Sequence, residues 1–373
     1  MPVAFRRSAE TNADASCVPA ALWAHLRGAA LTLLRRAPPA DDPSRWVSHR
    51  IGARTFRVAQ PITFTPYAAA RPCSARCRFC SETLRPHDGG RAASALRPQR
   101  DYFEALRGAL AQLRGLPLSY SLSGLETTDD AAWCRAMLAT LDAAARDGVP
   151  VAERVLYSNG AGFAQASGEA LLDAFATFGL SWVELSRHHP DERANDAIMR
   201  FRDGEPIAEN VAFERVAREL SARQPLRLVC IVQRGGICDA RGVEDYIAWA
   251  RRLGAGTVIF REFSRLGDGY RETGSRRYID AARVAIDDLI ADCAAIPSWS
   301  AWTPIAVTDG YYFWNLRMRH PDGIEVVFES SDYTAMHRRH ASGDLYKLVF
   351  HANGRLCAGW SPDRDVVWSA DDA

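Results

Sequence analysis

Three closely spaced cysteines are the residues of this sequence best suited to chemistry. Cys73, Cys77 and Cys80 lie on one short segment, separated by three and then by two residues. A loop with this spacing can wrap three thiolates around one [4Fe–4S] cube, and one iron is then left without a protein thiolate. An open metal position is what catalysis requires, because a substrate or cofactor can bind there. We therefore predict a metal site with an open position.

A structural zinc site is the alternative interpretation of the same cysteines. A closed zinc site needs four ligands, and His87 is the nearest candidate for the fourth. The chain has nine cysteines, and those beyond the trio are scattered, so we predict a single cluster. Cys134 and Cys230 fall on apolar faces of predicted elements, which indicates a packing role.

Composition and charge exclude several classes of protein. The chain has 373 residues, a net charge of +1 and 47% hydrophobic residues, which is typical of a globular protein. The charge balance gives no surface for nucleic acid or for an anionic membrane. The most apolar stretch, Ala20–Leu34, is interrupted by His25 and Arg27 and is too short to span a bilayer. We expect a cytoplasmic protein with reduced cysteines and neither nucleic acid nor membrane as a partner.

The middle of the chain alternates between strand and helix patterns. Strands are predicted at Pro61–Tyr67, Leu118–Ser123, Val151–Ser158, Trp182–Ser186, Leu226–Val232 and Thr257–Phe263. The helices between them are predicted at Gln99–Leu113, Asp129–Asp147, Glu169–Phe178, Asn210–Ala222 and Val243–Leu253. Such alternation predicts an α/β fold, a partial (β/α)6 barrel of the TIM type, with the chemistry at the carboxyl ends of the strands.

The flanking segments differ from this core. A helix at Ala20–Arg36 and a short strand at Thr55–Val58 are expected before it, and a helix at Ala281–Ala294 after it. The turns Asp322-Gly323 and Asn353-Gly354 each lie between apolar runs and predict two hairpins. We expect an N-terminal extension over residues 1–60, a core over 61–265 and a small β-rich cap over 266–373.

The cysteine motif, together with its place after the first strand, resembles the signature of the radical S-adenosylmethionine superfamily. Phe79, the aromatic residue before the third cysteine, belongs to that resemblance, which extends over residues 61–263. It implies one [4Fe–4S] cluster on Cys73, Cys77 and Cys80, S-adenosylmethionine as cofactor, and an electron donor such as flavodoxin or ferredoxin. It also implies reductive cleavage of the cofactor to a 5′-deoxyadenosyl radical, which takes a hydrogen atom from the substrate.

The ends of later strands extend the resemblance. Gly124-Leu125-Glu126 is similar to the family's Gly-Gly-Glu, whose acid holds the cofactor's amino group, with Leu125 in place of the second glycine. By the same resemblance, cofactor contacts are expected at Phe79, Gly124, Glu126, Ser158, Ser186 and Arg187.

Substrate-side candidates follow from polar residues at the remaining strand ends. They are His188, Gln233, Arg261 and Glu262, and the alternative for Arg261 and Glu262 is a salt bridge at the barrel rim. The preferred substrate is a small molecule of specialised metabolism. A peptide-modifying enzyme is the second hypothesis, and a non-catalytic iron–sulfur or zinc protein is the third.

Overall fold

The computed structural model describes residues 32–35, 43–84 and 91–372. Within them, fourteen strands form one sheet. The strands are β1 Thr32–Arg35, β2 Trp46–Ile51, β3 Arg54–Tyr67, β4 Leu118–Leu122, β5 Val151–Ser158, β6 Trp182–Ser186, β7 Leu226–Ile231, β8 Thr257–Arg261, β9 Thr303–Asp309, β10 Phe313–Arg319, β11 Glu325–Ser331, β12 Leu345–His351, β13 Arg355–Cys357 and β14 Val366–Ser369.

Ten α-helices accompany these strands in the described residues. They are α1 Tyr102–Ala111, α2 Ala131–Arg146, α3 Ala161–Ala164, α4 Gly168–Phe178, α5 Glu192–Met199, α6 Asn210–Ser221, α7 Ala240–Arg252, α8 Gly274–Ala282, α9 Ile286–Ala294 and α10 Tyr333–His340. None of the described helices is long and apolar enough to cross a membrane.

Local sequence explains where several helices begin and end. α2, α5 and α7 each begin after an aspartate that accepts a backbone N–H at 2.8–2.9 Å: Asp130, Asp191 and Asp239. Such a carboxylate satisfies an N–H that the helix itself cannot pair. α4 ends at Gly179, whose φ of +71° allows the left-handed turn that closes a helix. Single residues at the helix ends therefore determine where these helices begin and end.

The predicted partial barrel is confirmed. β3, β4, β5, β6, β7 and β8 pair in chain order, and every pair is parallel. Along β6, Val183 and Leu185 are fully buried, whereas Trp182 and Glu184 line a cavity inside the sheet. This alternation is the two-residue period of a strand with one face towards the helix layer and one towards the interior.

The C-terminal strands continue the same sheet on both sides. β11 pairs parallel with β8, and β12 pairs parallel with β3, so eight parallel strands lie side by side. β10, β9 and β1 follow β11 on one flank, and β13 and β14 follow β12 on the other. In the described part of the chain, β1 and β14 do not pair, so the barrel remains open.

Both predicted hairpins are present. β10 and β11 are antiparallel and join through Gly323, whose φ is +89°, and β12 and β13 are antiparallel and join through Gly354, with φ +72°. Glycine adopts these backbone angles without the steric cost that a side chain imposes.

Two predicted helices are wrong in part. Residues 32–35, expected within a helix at Ala20–Arg36, form β1 and pair with β9. The rest of that stretch, residues 20–31 and 36, lies outside the described residues. The helix expected at Ala281–Ala294 is broken into α8 and α9. Arg283, between them, has an extended backbone and donates to the main-chain oxygens of Phe263 and Ser264 at 2.5 and 2.8 Å. These contacts after β8 hold the chain out of the helical conformation.

The division into three parts stays a prediction. β3 runs without a break across residue 60, and the strands after residue 265 hydrogen-bond to the core sheet. Cys17 and His87 lie outside the described residues.

Candidate active site

The cysteine segment follows β3, the first strand of the parallel series. Its backbone is fixed to the end of α5: Arg76 N donates to Met199 O at 3.2 Å and to Arg200 O at 3.0 Å. Arg202 Nε donates to Cys73 O at 2.7 Å, and Cys80 N donates to Cys77 O at 3.1 Å. The loop is therefore held in place by contacts beyond its own residues, as a preformed ligand loop requires.

The three thiols are partly buried, and backbone N–H groups of the loop hydrogen-bond to them. Asn159 Nδ2 lies 4.0 Å from Cys73 Sγ and also donates to Ser74 Oγ at 3.0 Å. Burial raises the pKa of all three thiols, that of Cys77 to about 12, and the negative charge of Glu126 adds to this for Cys73 and Cys77. Within the described residues, no three Cys, His, Asp or Glu side chains are placed to hold a single metal ion.

The end of β4 has an unusual backbone. Gly124 has a φ of +95° and Leu125 a φ of +54°, both in the left-handed region. A Cβ at Gly124 would overlap the ring of Tyr67 at the end of β3. Leu125, which stands where the resembling motif has its second glycine, adopts the conformation that glycine favours.

Glu126 joins the ends of β4 and β5. Its Oε1 accepts from Thr128 N at 3.1 Å, Thr128 Oγ1 at 2.6 Å and Ser158 Oγ at 2.7 Å. Its Oε2 accepts from Asn159 N at 2.6 Å. The residue is 2% exposed; burial raises its pKa, and these hydrogen bonds act in the opposite direction. Glu126 and Ser158, both predicted cofactor contacts, therefore bind each other.

Three predicted site residues follow one another at the end of β6, and their side chains lie in different surroundings. Ser186 is half-buried at the strand end. Arg187 turns into the helix layer, where its guanidinium donates to Ile207 O at 3.1 Å, Ala208 O at 3.1 Å and Asn210 Oδ1 at 2.5 Å. The side chain is fully buried and lies 4.8 Å from the Phe213 ring centroid. In this structure the Arg187 guanidinium is engaged by acceptors of the helix layer, and its predicted cofactor contact stays a prediction.

His188 lies beside the cysteine loop. Its ring packs edge-on against Phe79 with centroids 5.0 Å apart, and Phe79 also packs against Phe263. Nδ1 of His188 accepts from Ile231 N at 3.1 Å, so the neutral ring carries its proton on Nε2. Burial, together with the charges of Arg187 and Arg261, lowers the pKa of His188 to about 3. The imidazole is therefore uncharged at neutral pH.

The other substrate-side candidates are engaged with protein partners. Gln233 is fully buried; its Nε2 donates to Ile231 O at 3.1 Å, and its Oε1 accepts from Tyr278 OH at 2.5 Å. Glu262 accepts from Arg283 at 2.8 Å and from Ser330 Oγ at 2.8 Å. These contacts place both residues outside the cavity wall.

Arg261 is the candidate that does reach the cavity. Its Nε donates to Glu329 Oε1 at 2.5 Å and its guanidinium to Glu184 Oε2 at 3.1 Å. Burial alone would lower its pKa, but the charges of Glu329 and Glu184 raise it. Arg261 and Glu262 thus form separate salt bridges, Arg261 with Glu184 and Glu329, and Glu262 with Arg283.

A cavity of about 1400 Å³ fills the interior of the open barrel. Ser81 and Glu82, next to Cys80, line it beside Gly124 of the β4 end. Glu82 accepts from the Tyr67 hydroxyl and, at 3.3 Å, from Ser94 N. The cysteine loop and the barrel interior therefore meet at the carboxyl ends of the strands, where α/β barrels carry their active sites.

Comparison with known proteins gives structural similarity only. No family model matches the chain, and no curated protein matches it. SuiB of Streptococcus suis, solved with S-adenosylmethionine, is similar with a TM-score of 0.49 and 13% identity, over 84% of this chain and 64% of SuiB. The methyltransferase TsrM of Kitasatospora setae, described as a radical S-adenosylmethionine enzyme, gives 0.35 and 14%, over 54% and 36%. Methylornithine synthase gives 0.34 and 12%, over 53% of each chain.

The chain thus spans less than two thirds of the length of SuiB. Identities this low leave the function of this chain to be argued from its own residues.

Two residues of the site were not predicted from the sequence. Asn159 contacts the cysteine loop, but Asn159-Gly160 also fits an ordinary turn. Asp129 accepts from Ser74 N at 2.7 Å, and burial, with the charge of Glu126, raises its pKa to about 7. In the sequence, Asp129 indicates only the start of a helix, because a polar residue near a strand end can have several roles.

The buried His188 predicts a loss of stability in acid. Below pH 6.5 the unfolded chain takes up a proton that the folded ring does not accept until about pH 3. We expect this residue to lower the free energy of unfolding by about 2 kcal/mol at pH 5 relative to neutral pH. Urea unfolding of the parent and of His188→Asn, whose amide oxygen can still accept from Ile231, would be compared at both pH values. Equal pH dependence in the two proteins would contradict this assignment.

Proposed function

We propose that this chain is a radical S-adenosylmethionine enzyme that holds one [4Fe–4S] cluster on Cys73, Cys77 and Cys80. The observation that carries the proposal is the position of the thiols: one loop after the first parallel strand, bordering the barrel cavity through Ser81 and Glu82. Three thiolates and no fourth described ligand are the donor set of a cube with one open iron.

The residues present fit such a cluster. The loop backbone is fixed by α5 and Arg202, and backbone N–H groups of the loop hydrogen-bond to the three sulfurs, which favours their thiolate form. A buried thiol gives up its proton readily only to a metal, because the cation replaces the proton as the partner of the sulfur. When bound, the cluster and S-adenosylmethionine would supply one-electron cleavage chemistry that yields a carbon-centred radical.

The residues of the chain have supporting roles in this proposal. Phe79, Gly124 and Ser186 contact the cofactor at the carboxyl ends of the strands. Glu126 and Ser158 fix the relative positions of β4 and β5, on which those contacts depend. His188 keeps a neutral ring beside Phe79 and excludes charge and water from that side. The barrel wall around the cavity shields the reaction from solvent.

We further propose a small molecule as substrate and an electron donor of the flavodoxin or ferredoxin type. The cavity is larger than the roughly 300–1000 Å³ of ordinary ligand sites, which leaves room for a nucleoside cofactor together with a small substrate. A peptide substrate would show itself as turnover of a peptide where small molecules give none.

The test is iron binding and cofactor cleavage. Protein purified without oxygen would be reconstituted with iron and sulfide, reduced with dithionite and supplied with S-adenosylmethionine. We expect about four irons per chain and 5′-deoxyadenosine as product, both lost when Cys73, Cys77 and Cys80 are changed to Ala. Cys238→Ala, which changes an exposed cysteine outside the site, is the matched control and should behave as the parent. If the triple variant holds as much iron as the control, the ligand assignment is refuted.

A further inference from the structure

One residue type is nearly absent from this chain. Of its 46 basic residues, 45 are Arg, and Lys347 is the only lysine in 373 residues. Wherever a positive charge alone is needed, this chain uses arginine. A lysine has one property that arginine lacks, an amine that can lose its proton and act as a nucleophile.

The single lysine lies inside the barrel. Lys347 is on β12 next to β3, lines the cavity and is 7% exposed. Its Nζ lies 3.6 Å from the centroid of the Trp360 ring. Across the described ranges, no Asp or Glu lies within ion-pair distance of it. A buried lysine is ordinarily paired with an acid, whereas the neighbour described for this amine is the face of the Trp360 ring.

The surroundings of Lys347 favour an uncharged amine. Burial lowers its pKa to about 7, so near neutral pH the free amine is far more populated than in an exposed lysine. His340, which also lines the cavity, has its pKa lowered to about 4 by burial and by the charges of His337 and Lys347.

Lys347 is also connected to the cysteine loop. Trp360, below its amine, packs edge-on against Tyr67 with centroids 5.6 Å apart. The Tyr67 hydroxyl donates to Glu82, two residues after Cys80. A ligand held by the amine is therefore in the same cavity that the cysteine loop borders.

We propose that Lys347 captures an aldehyde or ketone group of the ligand in the cavity as an imine. This inference deepens the proposed function and rests on it, because the proposed function makes the cavity the substrate site. The amine lone pair attacks the carbonyl carbon, and a proton passes from nitrogen to oxygen to give a carbinolamine. Loss of that oxygen as water forms the C=N bond. The step needs no oxidant or reductant. It requires that the substrate carry an aldehyde or ketone group.

If this position only bound an anion, arginine would be the expected residue. A carboxylate ligand is bound more firmly by the bidentate guanidinium of arginine, which this chain uses everywhere else. Arginine cannot form an imine. The amine of Lys347 is thus explained by a reaction that only lysine can perform.

The test is reductive trapping with a small aromatic aldehyde. The full-length reconstituted protein would be incubated with benzaldehyde and sodium cyanoborohydride at pH 7, and the adducts located by peptide mass spectrometry. We expect one adduct at Lys347, formed at least tenfold faster than on Nα-acetyl-lysine in the same buffer, because much more of the buried amine is unprotonated. With a single lysine, the N-terminal amine is the internal reference.

The controls separate reactivity from folding. Lys347→Arg keeps the charge and should give no adduct beyond the N-terminal one; if it fails to fold, Lys347→Met keeps the volume without charge or nucleophile. Trapping at Lys347 no faster than on the free amino acid overturns the proposal. Iron content and 5′-deoxyadenosine are measured on the same samples: normal values without fast trapping refute the imine alone, whereas fast trapping with no iron refutes the proposed cluster alone.

Discussion

Glu126→Ala is expected to lower the free energy of unfolding by about 3–5 kcal/mol. The change leaves the N–H groups of Thr128 and Asn159 and the hydroxyl of Ser158 without their acceptor in a buried place. A buried donor that loses its partner costs about 1–3 kcal/mol, and neighbouring losses are not fully additive. Urea unfolding followed by circular dichroism measures the effect.

The variant also affects the cysteine loop. Asn159, held by Glu126, donates to Ser74, so we expect Glu126→Ala to weaken binding of S-adenosylmethionine by the reconstituted protein. Glu126→Gln is the matched control: it keeps one oxygen acceptor and should lose less stability than the alanine variant. Equal stability of parent and Glu126→Ala would show that the hydrogen bonds of this carboxylate do not hold the strand ends together.

Arg261→Met is the second change with a large expected effect. Arg261 lies between Glu184 and Glu329, whose side chains are 6% and 17% exposed. Removing one partner of a buried ion pair leaves an uncompensated charge and costs about 3–5 kcal/mol. We expect a loss of this size in the free energy of unfolding, measured by urea titration.

Two further variants check the cause of that loss. Arg319→Met breaks an exposed pair with Glu325 and should cost no more than about 1 kcal/mol. Adding Glu184→Gln and Glu329→Gln to Arg261→Met removes the unpaired charges and should restore part of the stability. If the triple variant is no more stable than Arg261→Met, lost packing and not charge is responsible.

The sequence predicted most of the barrel because its signals are local. The predicted bounds of β5 and β6 agree with the structure to the residue, because each strand is followed by polar turn residues. The two hairpins followed from Asp-Gly and Asn-Gly turns. What the sequence did not predict is the pairing of β11 with β8 and of β12 with β3, because such contacts join residues far apart in the chain. The break at Arg283 was missed for the same reason.

The sequence predicts which types of residue lie at the candidate site better than it predicts the orientation of their side chains. Gly124, Glu126 and Ser158 meet at neighbouring strand ends, as parallel pairing requires. Arg187 occupies an equally promising position, yet its long side chain turns outward to carbonyls of the helix layer. Whether a polar residue at a strand end points inwards or outwards depends on partners that local spacing does not reveal. Lys347 is a further case, because only the fold places it in the cavity.

The open barrel is held together by different kinds of contact on its two sides. The sheet does not close on itself by strand pairing in the described chain, and Tyr311, just before β10, instead stacks on Tyr346 of β12 with centroids 4.9 Å apart. A ring contact of this kind contributes about 0.5–1.5 kcal/mol, and separating it breaks no backbone ladder. The parallel strands opposite are joined by continuous hydrogen bonds, such as those along five residue pairs of β7 and β8. Separating the Tyr311 and Tyr346 rings would therefore break one stacking contact, whereas separating β7 from β8 would break a backbone ladder.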